Sequence, residues 1–414
     1  MEDNSIEQIN PWWNNKNFRH RVINRPFYLE QLATTPGRLI DILIGARRVG
    51  KTYILYAIIN VLLEKGINPA RIIYLTGELR EIETSRVIDI VQNYRKKFNI
   101  KENEEYYIFI DEVQEINDWQ KDVKFLYDNF NIKFFITGSS SLILNAQTSK
   151  LTGRFLLHRV FPLSFEEYLT FKKINLGNNN REKEIQVDEY LHDGGYPEYV
   201  LHKKSDYLRQ VVESTLYRDL LSVYGIRNPA FLKDLLYYLA DKVTTPVSAK
   251  NIQRDLKADE ETAKFYLKYL QDVYLIYPLY RYGASYRITK SSNPKYYFND
   301  TGVLYSISVN KRIGLLAENA VFLKLLKLAS SKEFPAIYYY LDKNLQEIDF
   351  IDERKVLYEV KYKETLQPEE DIDPYELIGK PINYIIKDTS KVPSFNMYNL
   401  KLNRLSKFLI SDEM

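Results

Sequence analysis

Between Arg38 and Leu163, short apolar runs alternate with longer stretches in which apolar residues recur every three or four positions. Near-continuous apolar runs suit strands that are buried on both faces of a parallel sheet, and the longer stretches suit helices that cover the sheet. The pattern therefore predicts a three-layer α/β core with a parallel sheet. The predicted strands are Leu39–Ile44, Ile72–Leu75, Tyr106–Ile110 and Lys133–Ile136, and the predicted helices are Thr52–Glu64, Glu83–Phe98 and Trp119–Phe130.

After this core the spacing becomes helical over residues 181–239, which predicts a helical lid. The next two stretches, Ser248–Leu256 and Glu260–Leu270, have helix-turn-helix proportions. The apolar run Leu275–Tyr282 follows them at the place of a wing strand, so this segment predicts a winged helix.

A second α/β unit is predicted from about Asn293 onward. It contains a helix around Glu318–Leu328 and then three extended runs, at residues 337–341, 348–351 and 356–362. We divide the chain into a phosphate-loop ATPase domain (residues 1–175), a helical lid (176–240), a winged-helix segment (241–292) and a C-terminal α/β domain (293–414).

Composition excludes several classes of function. The 414 residues include no cysteine, which removes disulfides, thiol nucleophiles and cysteine-ligated metals. Lys and Arg total 58 against 55 Asp and Glu, a net charge of +3, so a broadly basic nucleic-acid coat is excluded. Since no apolar run is long enough to span a bilayer and the N-terminus is polar, we expect a cytoplasmic protein without a membrane partner.

The sharpest motif follows the first predicted strand and opens the first helix. It has the form G-x-x-x-x-G-K-[ST] and consists of Gly45, Ala46, Arg47, Arg48, Val49, Gly50, Lys51 and Thr52. Backbone N–H groups of such a loop receive phosphates, the lysine contacts the β and γ phosphates, and the hydroxyl binds Mg²⁺. The sequence therefore predicts a site for ATP and Mg²⁺.

Two adjacent carboxylates, Asp111 and Glu112, follow the third predicted strand. Ligands bind at this edge of open α/β sheets, so we expect Asp111 to hold the Mg²⁺ and Glu112 to activate the attacking water. The alternative is a solvated acidic loop. Thr137 and Ser139 end the next strand and are candidates for holding that water, although helix capping by Ser139 is equally compatible with the sequence.

These elements, together with the motif Leu151-Thr152-Gly153-Arg154-Phe155, resemble the prokaryotic AAA-type ATPases that carry a winged-helix segment and a C-terminal nuclease-like domain. Further signatures of the family are residues 193–198 (DGGYPE) and 294–302 (PKYYFNDTG). The resemblance implies that Arg154 is an arginine finger, supplied by a neighbouring subunit of a homo-oligomer. A salt bridge within its own sheet is the alternative role for Arg154.

In the C-terminal domain, Asp349 and the pair Glu359 and Lys361 lie on two runs separated by a turn at residues 352–354, and the runs can pair as a hairpin. This arrangement resembles the PD-(D/E)XK nuclease core. The resemblance implies that Asp349 and Glu359 bind Mg²⁺ or Mn²⁺ and that Lys361 orients the attacking hydroxide. Glu318 stands at the position of an additional acidic residue. An exposed hairpin with alternating Glu and Lys is the alternative.

Two functional hypotheses remain. In the first, ATP hydrolysis is coupled to nucleic-acid binding or processing through the nuclease-like domain. In the second, ATP controls a switch that binds a protein partner, and the nuclease-like domain is inactive.

Overall fold

The computed structural model describes residues 4–101, 103–138, 151–220, 228–283, 286–329, 337–341, 347–363, 382–387 and 400–410. The chain divides into two compact units, residues 1–160 (the first unit) and residues 161–414 (the second unit). Among the helices of the described residues, none combines the length and the apolarity needed to cross a membrane.

The core of the first unit is a parallel five-stranded sheet in the order β2-β3-β4-β1-β5. The parallel sheet that was predicted for the phosphate-loop core is therefore confirmed. Strand β1 lies between β4 and β5 and is buried along its whole length, which explains its continuous apolar sequence. The strands are β1 (Ile40–Ile44), β2 (Ile72–Thr76), β3 (Tyr106–Asp111), β4 (Ile132–Gly138) and β5 (Phe155–Arg159).

Helices cover this sheet, and the stretch predicted as one helix over 83–98 is two helices. Ser85 has an extended backbone (φ −96°, ψ 158°), which ends the first helix two residues before the second begins. The α-helices of the first unit are Asn4–Ile9, Pro26–Ala33, Lys51–Glu64, Arg80–Thr84, Val87–Lys97 and Trp119–Asn129, and its 3₁₀ turns are Pro11–Trp13, Pro69–Arg71 and Val113–Glu115.

The N-terminal arm packs against strand β2 at the edge of the sheet. The indole N–H groups of Trp12 and Trp13 both donate to the carbonyl of Ile72, at 3.0 and 2.8 Å. The Asn10 side chain accepts from the Tyr74 N–H at 2.7 Å and donates to the Tyr74 carbonyl at 2.9 Å. The tryptophan pair therefore has a packing role in this structure.

The second unit begins with helices. Ser164 and Glu167 close a capping box at the start of its first helix, with the Ser164 N–H donating to the Glu167 carboxylate at 2.8 Å. The α-helices of this unit are Phe165–Phe171, Asn180–Asp193, Pro197–His202, Tyr207–Ser214, Pro229–Asp241, Ala249–Leu256, Glu260–Asp272, Tyr286–Ser291, Thr301–Ile307, Ile313–Ala329 and Leu405–Ile410, and a π-helical turn spans Thr215–Leu220.

Strand β6 (Ile276–Leu279) follows the predicted helix-turn-helix pair and is antiparallel to β7 (Lys295–Phe298). The predicted boundary at residue 292 therefore falls inside a two-stranded sheet, because the partner of the predicted wing strand lies beyond it. The assignment of this segment as a winged helix remains a prediction.

The C-terminal sheet has five strands in the order β12-β11-β10-β9-β8. Strands β8, β9 and β10 are antiparallel, and β10, β11 and β12 are parallel. Its apolar core includes Ile348, Leu357 and Tyr384, each at most 1% exposed. The strands are β8 (Tyr338–Leu341), β9 (Glu347–Ile351), β10 (Leu357–Lys361), β11 (Ile382–Ile386) and β12 (Leu400–Arg404).

Buried hydrogen bonds connect three loops of the second unit at Leu163, Gly195 and Asp300, and we call this group the clasp. Gly195 and Asp300 belong to the two family signatures at residues 193–198 and 294–302. The Asp300 carboxylate accepts from the N–H groups of Gly195 at 2.6 Å and Val303 at 2.8 Å. The Leu163 N–H donates to the Gly195 carbonyl at 2.7 Å. Burial raises the pKa of Asp300 to about 6, although these backbone N–H donors oppose the rise.

Replacing Gly195 by Ala is expected to destabilise the second unit. The added Cβ would lie 2.2 Å from the Leu163 carbonyl oxygen and 2.6 Å from its nitrogen, and backbone atoms cannot move aside as a side chain does. We expect a loss of about 2 kcal/mol in the free energy of unfolding, measured by denaturant titration. Gly177→Ala is the control, since nothing lies within 4 Å of its added Cβ. Equal stability of the two variants would contradict this account of the clasp.

Candidate nucleotide site

The loop between β1 and the helix Lys51–Glu64 has the backbone that a phosphate loop requires. Gly45 has φ 155° and Gly50 has φ 95°, both in the region that favours glycine. A Cβ on Gly45 would lie 2.3 Å from the carbonyl oxygen of Val160, the residue after β5. Gly50 is the residue from which the helix begins, so the free N–H groups of the first helical turn stand next to the loop.

The Lys51 ammonium lies inside the loop rather than in solvent. It is 4% exposed as a residue, and its Nζ donates to the carbonyls of Gly45 at 3.1 Å and Ala46 at 3.0 Å. A buried cation at the mouth of a loop of N–H groups makes the site electropositive. Arg47 is partly buried and Arg48 is exposed, with φ 61°.

Three hydroxyls converge on the Asp111 carboxylate, at the carboxyl end of β3. Tyr74 donates to one oxygen at 2.9 Å and Thr137 donates to the other. Thr52, the last residue of the phosphate loop, supplies a third hydrogen bond. Burial raises the pKa of Asp111 and the neighbouring Glu112 raises it further, while the three hydroxyl donors oppose the rise.

The contact between Thr52 and Asp111 bears on whether this site has suitable ligands for Mg²⁺. Both residues were predicted as metal ligands, and the structure brings their oxygens within hydrogen-bonding range of each other. Hydroxyl and carboxylate oxygens are the donors that Mg²⁺ prefers. The residues present therefore fit a magnesium ion held by Thr52 and Asp111.

Glu112 lies beside this carboxylate in a left-handed conformation, with φ 47° and ψ 50°. Its backbone N–H donates to the Thr137 hydroxyl at 3.0 Å, and its carboxylate accepts from the Gln114 amide. A non-glycine residue at positive φ is uncommon, and here it turns Glu112 out of the strand direction just after Asp111.

Thr137 connects the two acidic residues. Its single hydroxyl proton goes to Asp111 and one lone pair accepts from the Glu112 N–H, so it fixes the Asp111 carboxylate relative to the backbone of Glu112. Thr137 was predicted to hold the attacking water. It could do so only through the remaining lone pair of its hydroxyl. Ser139 lies outside the described residues.

Sequence reasoning missed three residues around this site. Tyr74 is interior to an apolar strand, where a tyrosine indicates core packing, yet its hydroxyl binds Asp111. Arg25 is 4% exposed and donates to the Val49 carbonyl of the phosphate loop at 2.9 Å. His20 stacks on Tyr56 with ring centroids 3.9 Å apart, and Tyr56 in turn hydrogen bonds with Tyr74.

Arg154 lies at the end of the sheet opposite to the phosphate loop. Its carbonyl accepts from the Ile40 N–H where β1 begins, whereas the phosphate loop follows the end of β1. The two ends of β1, which has five residues, are about 16 Å apart. The guanidinium is ion-paired with Asp128 at 2.8 Å. The sequence left open a salt bridge within the sheet, but Asp128 lies on the helix Trp119–Asn129. Arg154 therefore does not reach the nucleotide site of its own chain.

In the second unit, the predicted hairpin of β9 and β10 forms and brings Asp349 beside Glu359. The Asp349 N–H donates to the Glu359 carboxylate at 3.2 Å, and the Val360 N–H donates to the Asp349 carboxylate at 2.8 Å. Lys361 is ion-paired with Glu359 at 2.8 Å. The pairing Tyr358 with Phe350 and Leu357 with Ile351 sets this register.

Glu318, Lys295 and Glu347 complete this group, and we call Glu318, Glu347, Asp349, Glu359, Lys295 and Lys361 the carboxylate cluster. Glu318 lies on the helix Ile313–Ala329 and accepts from the Tyr297 hydroxyl at 2.7 Å. Burial and the charge of Asp349 together raise the pKa of Glu318 and of Glu359 to about 8. Lys295 and Glu347 were not predicted as members of the site.

The cluster has oxygen donors suited to Mg²⁺ or Mn²⁺, but its arrangement does not fit a metal ion. Lys361 holds Glu359, and Lys295 lies beside both Glu318 and Glu347. Within the described part of the chain, no group of three or more His, Cys, Asp or Glu side chains is positioned to hold a metal. The predicted roles of Asp349 and Glu359 as ligands therefore find no support in the geometry.

The sheet, the phosphate loop and the acidic pair define an AAA-type domain, and residues 38–169 match the family model described as AAA domain. Residues 184–313 and 313–396 match two domains of unknown function, DUF8612 and DUF4143. The chain is 32% identical over 377 residues to the uncharacterized protein MJ1544 of Methanocaldococcus jannaschii, covering 86% of this chain and 81% of that protein. It therefore belongs to the same family as that archaeal protein.

An uncharacterized protein of Haemophilus influenzae is 29% identical over 343 residues, which cover 80% of this chain and 84% of that protein. Among solved structures, a DNA replication initiation factor aligns with TM-score 0.25 at 20% identity, and AMPPCP-bound DnaA from Aquifex aeolicus aligns with TM-score 0.26 at 18% identity. Both alignments cover 59% of this chain and 85% of the other chain. These scores are too low to carry an argument.

The stability of the first unit should depend on pH through His20. Burial lowers the pKa of His20 from 6.5 to about 4, and its Nε2 has no hydrogen-bond partner. The unfolded chain takes up this proton below about pH 6.5 and the folded chain only near pH 4, so stability is present above pH 6.5 and is lost as the pH falls toward 4. Because the ring is only partly buried, we expect a loss of about 1 kcal/mol between pH 7.5 and pH 5.

The measurement compares denaturant unfolding of the wild type and His20→Phe at the two pH values. Phe keeps a ring for stacking on Tyr56 and removes the titrating group. The wild type should lose about 1 kcal/mol more than the variant. An identical loss in both proteins would show that His20 does not titrate in this way.

Proposed function

We propose that the first unit binds ATP with Mg²⁺ and hydrolyses it. The observation that carries the proposal is the meeting of Thr52 with Asp111 beside the buried Lys51 ammonium. A phosphate loop, a hydroxyl and an acidic residue at the carboxyl edge of a parallel sheet are the parts that nucleotide hydrolysis uses in such folds.

The residues divide the work by position. The N–H groups of the loop and the Lys51 ammonium would bind the β and γ phosphates, for which Lys51 leaves its present carbonyl partners. Thr52 and Asp111 would hold Mg²⁺, which would supply positive charge against the phosphates. Tyr74 and Thr137 hold the Asp111 carboxylate in place, which lowers the cost of ordering it when nucleotide binds.

Glu112 is the residue proposed to take a proton from the attacking water. Its left-handed backbone places it directly after Asp111, and the bond from its N–H to Thr137 fixes that backbone. Gln114 donates to its carboxylate and so restricts the side chain. A carboxylate in such a position acts by orienting the water and accepting its proton as the water attacks.

Two substitutions separate binding from hydrolysis. Lys51→Ala should weaken ATP binding by tenfold or more, roughly the loss of one charge-assisted contact. Glu112→Gln should leave binding unchanged and lower turnover by about 100-fold or more, because it removes the base. Binding is measured with a fluorescent ATP analogue and turnover by phosphate release.

Glu115→Gln is the matched control, since it makes the same chemical change on an exposed side chain three residues away. It should hydrolyse ATP at the wild-type rate. Wild-type turnover in Glu112→Gln would refute the assignment of the base, and wild-type affinity in Lys51→Ala would refute the site itself.

We further propose that hydrolysis is coupled to nucleic-acid binding or processing through a nuclease-like C-terminal domain, residues 293–414 of the second unit. Support comes from the order of its elements, with a helix, an antiparallel β8-β9-β10 meander and parallel strands after it, and from the pairing of Asp349 with Glu359 and Lys361. The second candidate is a switch for a protein partner, favoured by the cluster's poor fit to a metal ion.

ATP turnover with and without single-stranded and double-stranded DNA distinguishes the two. Coupling to nucleic acid predicts that DNA raises turnover several-fold and that the increase is lost at high salt, because phosphate contacts release counterions. Glu112→Gln serves as the control for contaminating ATPase. Turnover that is unchanged by either form of DNA would contradict the coupling and favour the protein-partner switch.

Assembly into a homo-oligomer is a further part of the proposal. Since Arg154 cannot reach its own nucleotide site, it can act as an arginine finger only on a neighbouring subunit. It would then leave Asp128, to which its guanidinium is now paired.

A further inference from the structure

Lys295 is a fully buried lysine among carboxylates, at the first position of strand β7. The residue is 1% exposed, and its Nζ lies 2.6 Å from Glu347 Oε1 and 3.7 Å from Glu318 Oε1. Buried lysines are rare unless they are paired, so this ammonium is retained by its carboxylate neighbours.

The neighbours keep the lysine charged. Burial alone would lower the pKa of Lys295, but the charges of Glu318, Asp349 and Glu347 raise it. The ion pairs with Glu347 and Glu318 therefore place a cationic side chain inside the carboxylate cluster. The second lysine, Lys361, is more exposed and is ion-paired with Glu359 at 2.8 Å.

The position of Lys295 explains why the cluster does not fit a metal ion. A divalent ion bound by Glu318, Asp349 and Glu359 would lie close to the ammonium, and two cations in a buried site repel each other strongly. The lysine already balances the carboxylate charge that would otherwise attract the ion. Its backbone pairs with Leu279 of β6, so β7 enters the cluster from outside the β9–β10 hairpin.

We propose that Lys295 is a resident cation of the carboxylate cluster that competes with divalent metal for Glu318, Asp349 and Glu359. The inference rests on the proposed nuclease-like nature of the C-terminal domain, residues 293–414. It adds a regulation of that site, in which a lysine from a strand outside the β9–β10 hairpin sets how readily the site takes up a metal.

The test is binding of Mn²⁺ to the full chain without nucleotide, measured by calorimetry and by the electron paramagnetic resonance signal of free Mn²⁺. Lys295→Met removes the charge and keeps the length of the side chain. We expect it to bind Mn²⁺ at least about tenfold more tightly than the wild type, because a nearby positive charge has been removed. The double variant Lys295→Met with Asp349→Ala should lose this binding.

Two controls address folding and general charge. Lys268→Met removes an exposed lysine paired with Asp272 and should leave the affinity for Mn²⁺ unchanged. If Lys295→Met fails to fold because Glu347 is left unpaired, Lys295→Met with Glu347→Gln removes the ion pair as a unit and should show the same tighter binding. A disrupted fold would weaken binding, whereas the proposal requires it to strengthen.

The outcomes separate this inference from the function on which it rests. Tighter binding that depends on Asp349 supports the resident cation. Binding that depends on Asp349 but is equal or weaker in Lys295→Met overturns the resident cation and leaves the metal site of the proposed nuclease-like domain standing. No binding that depends on Asp349 in any variant overturns both the competition and the prediction of a metal at this cluster.

Discussion

The geometry of the nucleotide site depends on how one buried carboxylate is held. Asp111 is at the end of a central strand, where burial opposes its charge, and hydroxyls from three different elements hold it there. Tyr74 comes from β2, Thr137 from β4 and Thr52 from the helix that opens after the phosphate loop. Since the same carboxylate ties these elements together, the spacing of strands and loop fixes the distance between the phosphate-binding groups and the acidic pair.

Buried carboxylates in the second unit are stabilised by different groups from those around Asp111. Asp300 is held by backbone N–H groups and closes a clasp between loops, so its role is structural. In the carboxylate cluster, by contrast, a buried ammonium accompanies the acidic side chains. The donors around Asp111 are uncharged hydroxyls, whereas the cluster already contains the cationic side chain of Lys295. The two acidic sites of the chain therefore differ in their readiness for metal, although both look like metal sites in the sequence.

Much of the first unit could be predicted because its strands are buried on both faces. Strands β1 to β4 lie within one or two residues of their predicted bounds for this reason. Strand β5 was not predicted, since it lies at the edge of the sheet and its short apolar run is ended by the polar residues His158 and Arg159. The phosphate loop and the acidic pair carry their chemistry in adjacent residues and so are visible in the sequence.

Tyr74 and Lys295 could not be predicted because their roles depend on contacts with residues far away in the chain. Tyr74 reaches Asp111 across 37 positions of sequence, and a tyrosine inside an apolar strand has the pattern of an ordinary core residue. Lys295 is the first residue of a short strand, and the aromatic residues Tyr296, Tyr297 and Phe298 complete that strand. A single lysine in this position suggests a strand end that is exposed to solvent. The fold alone places it against Glu347 and Glu318. The position of this buried charge therefore depends on the location of β7 in the fold and not on the motif that suggested the site.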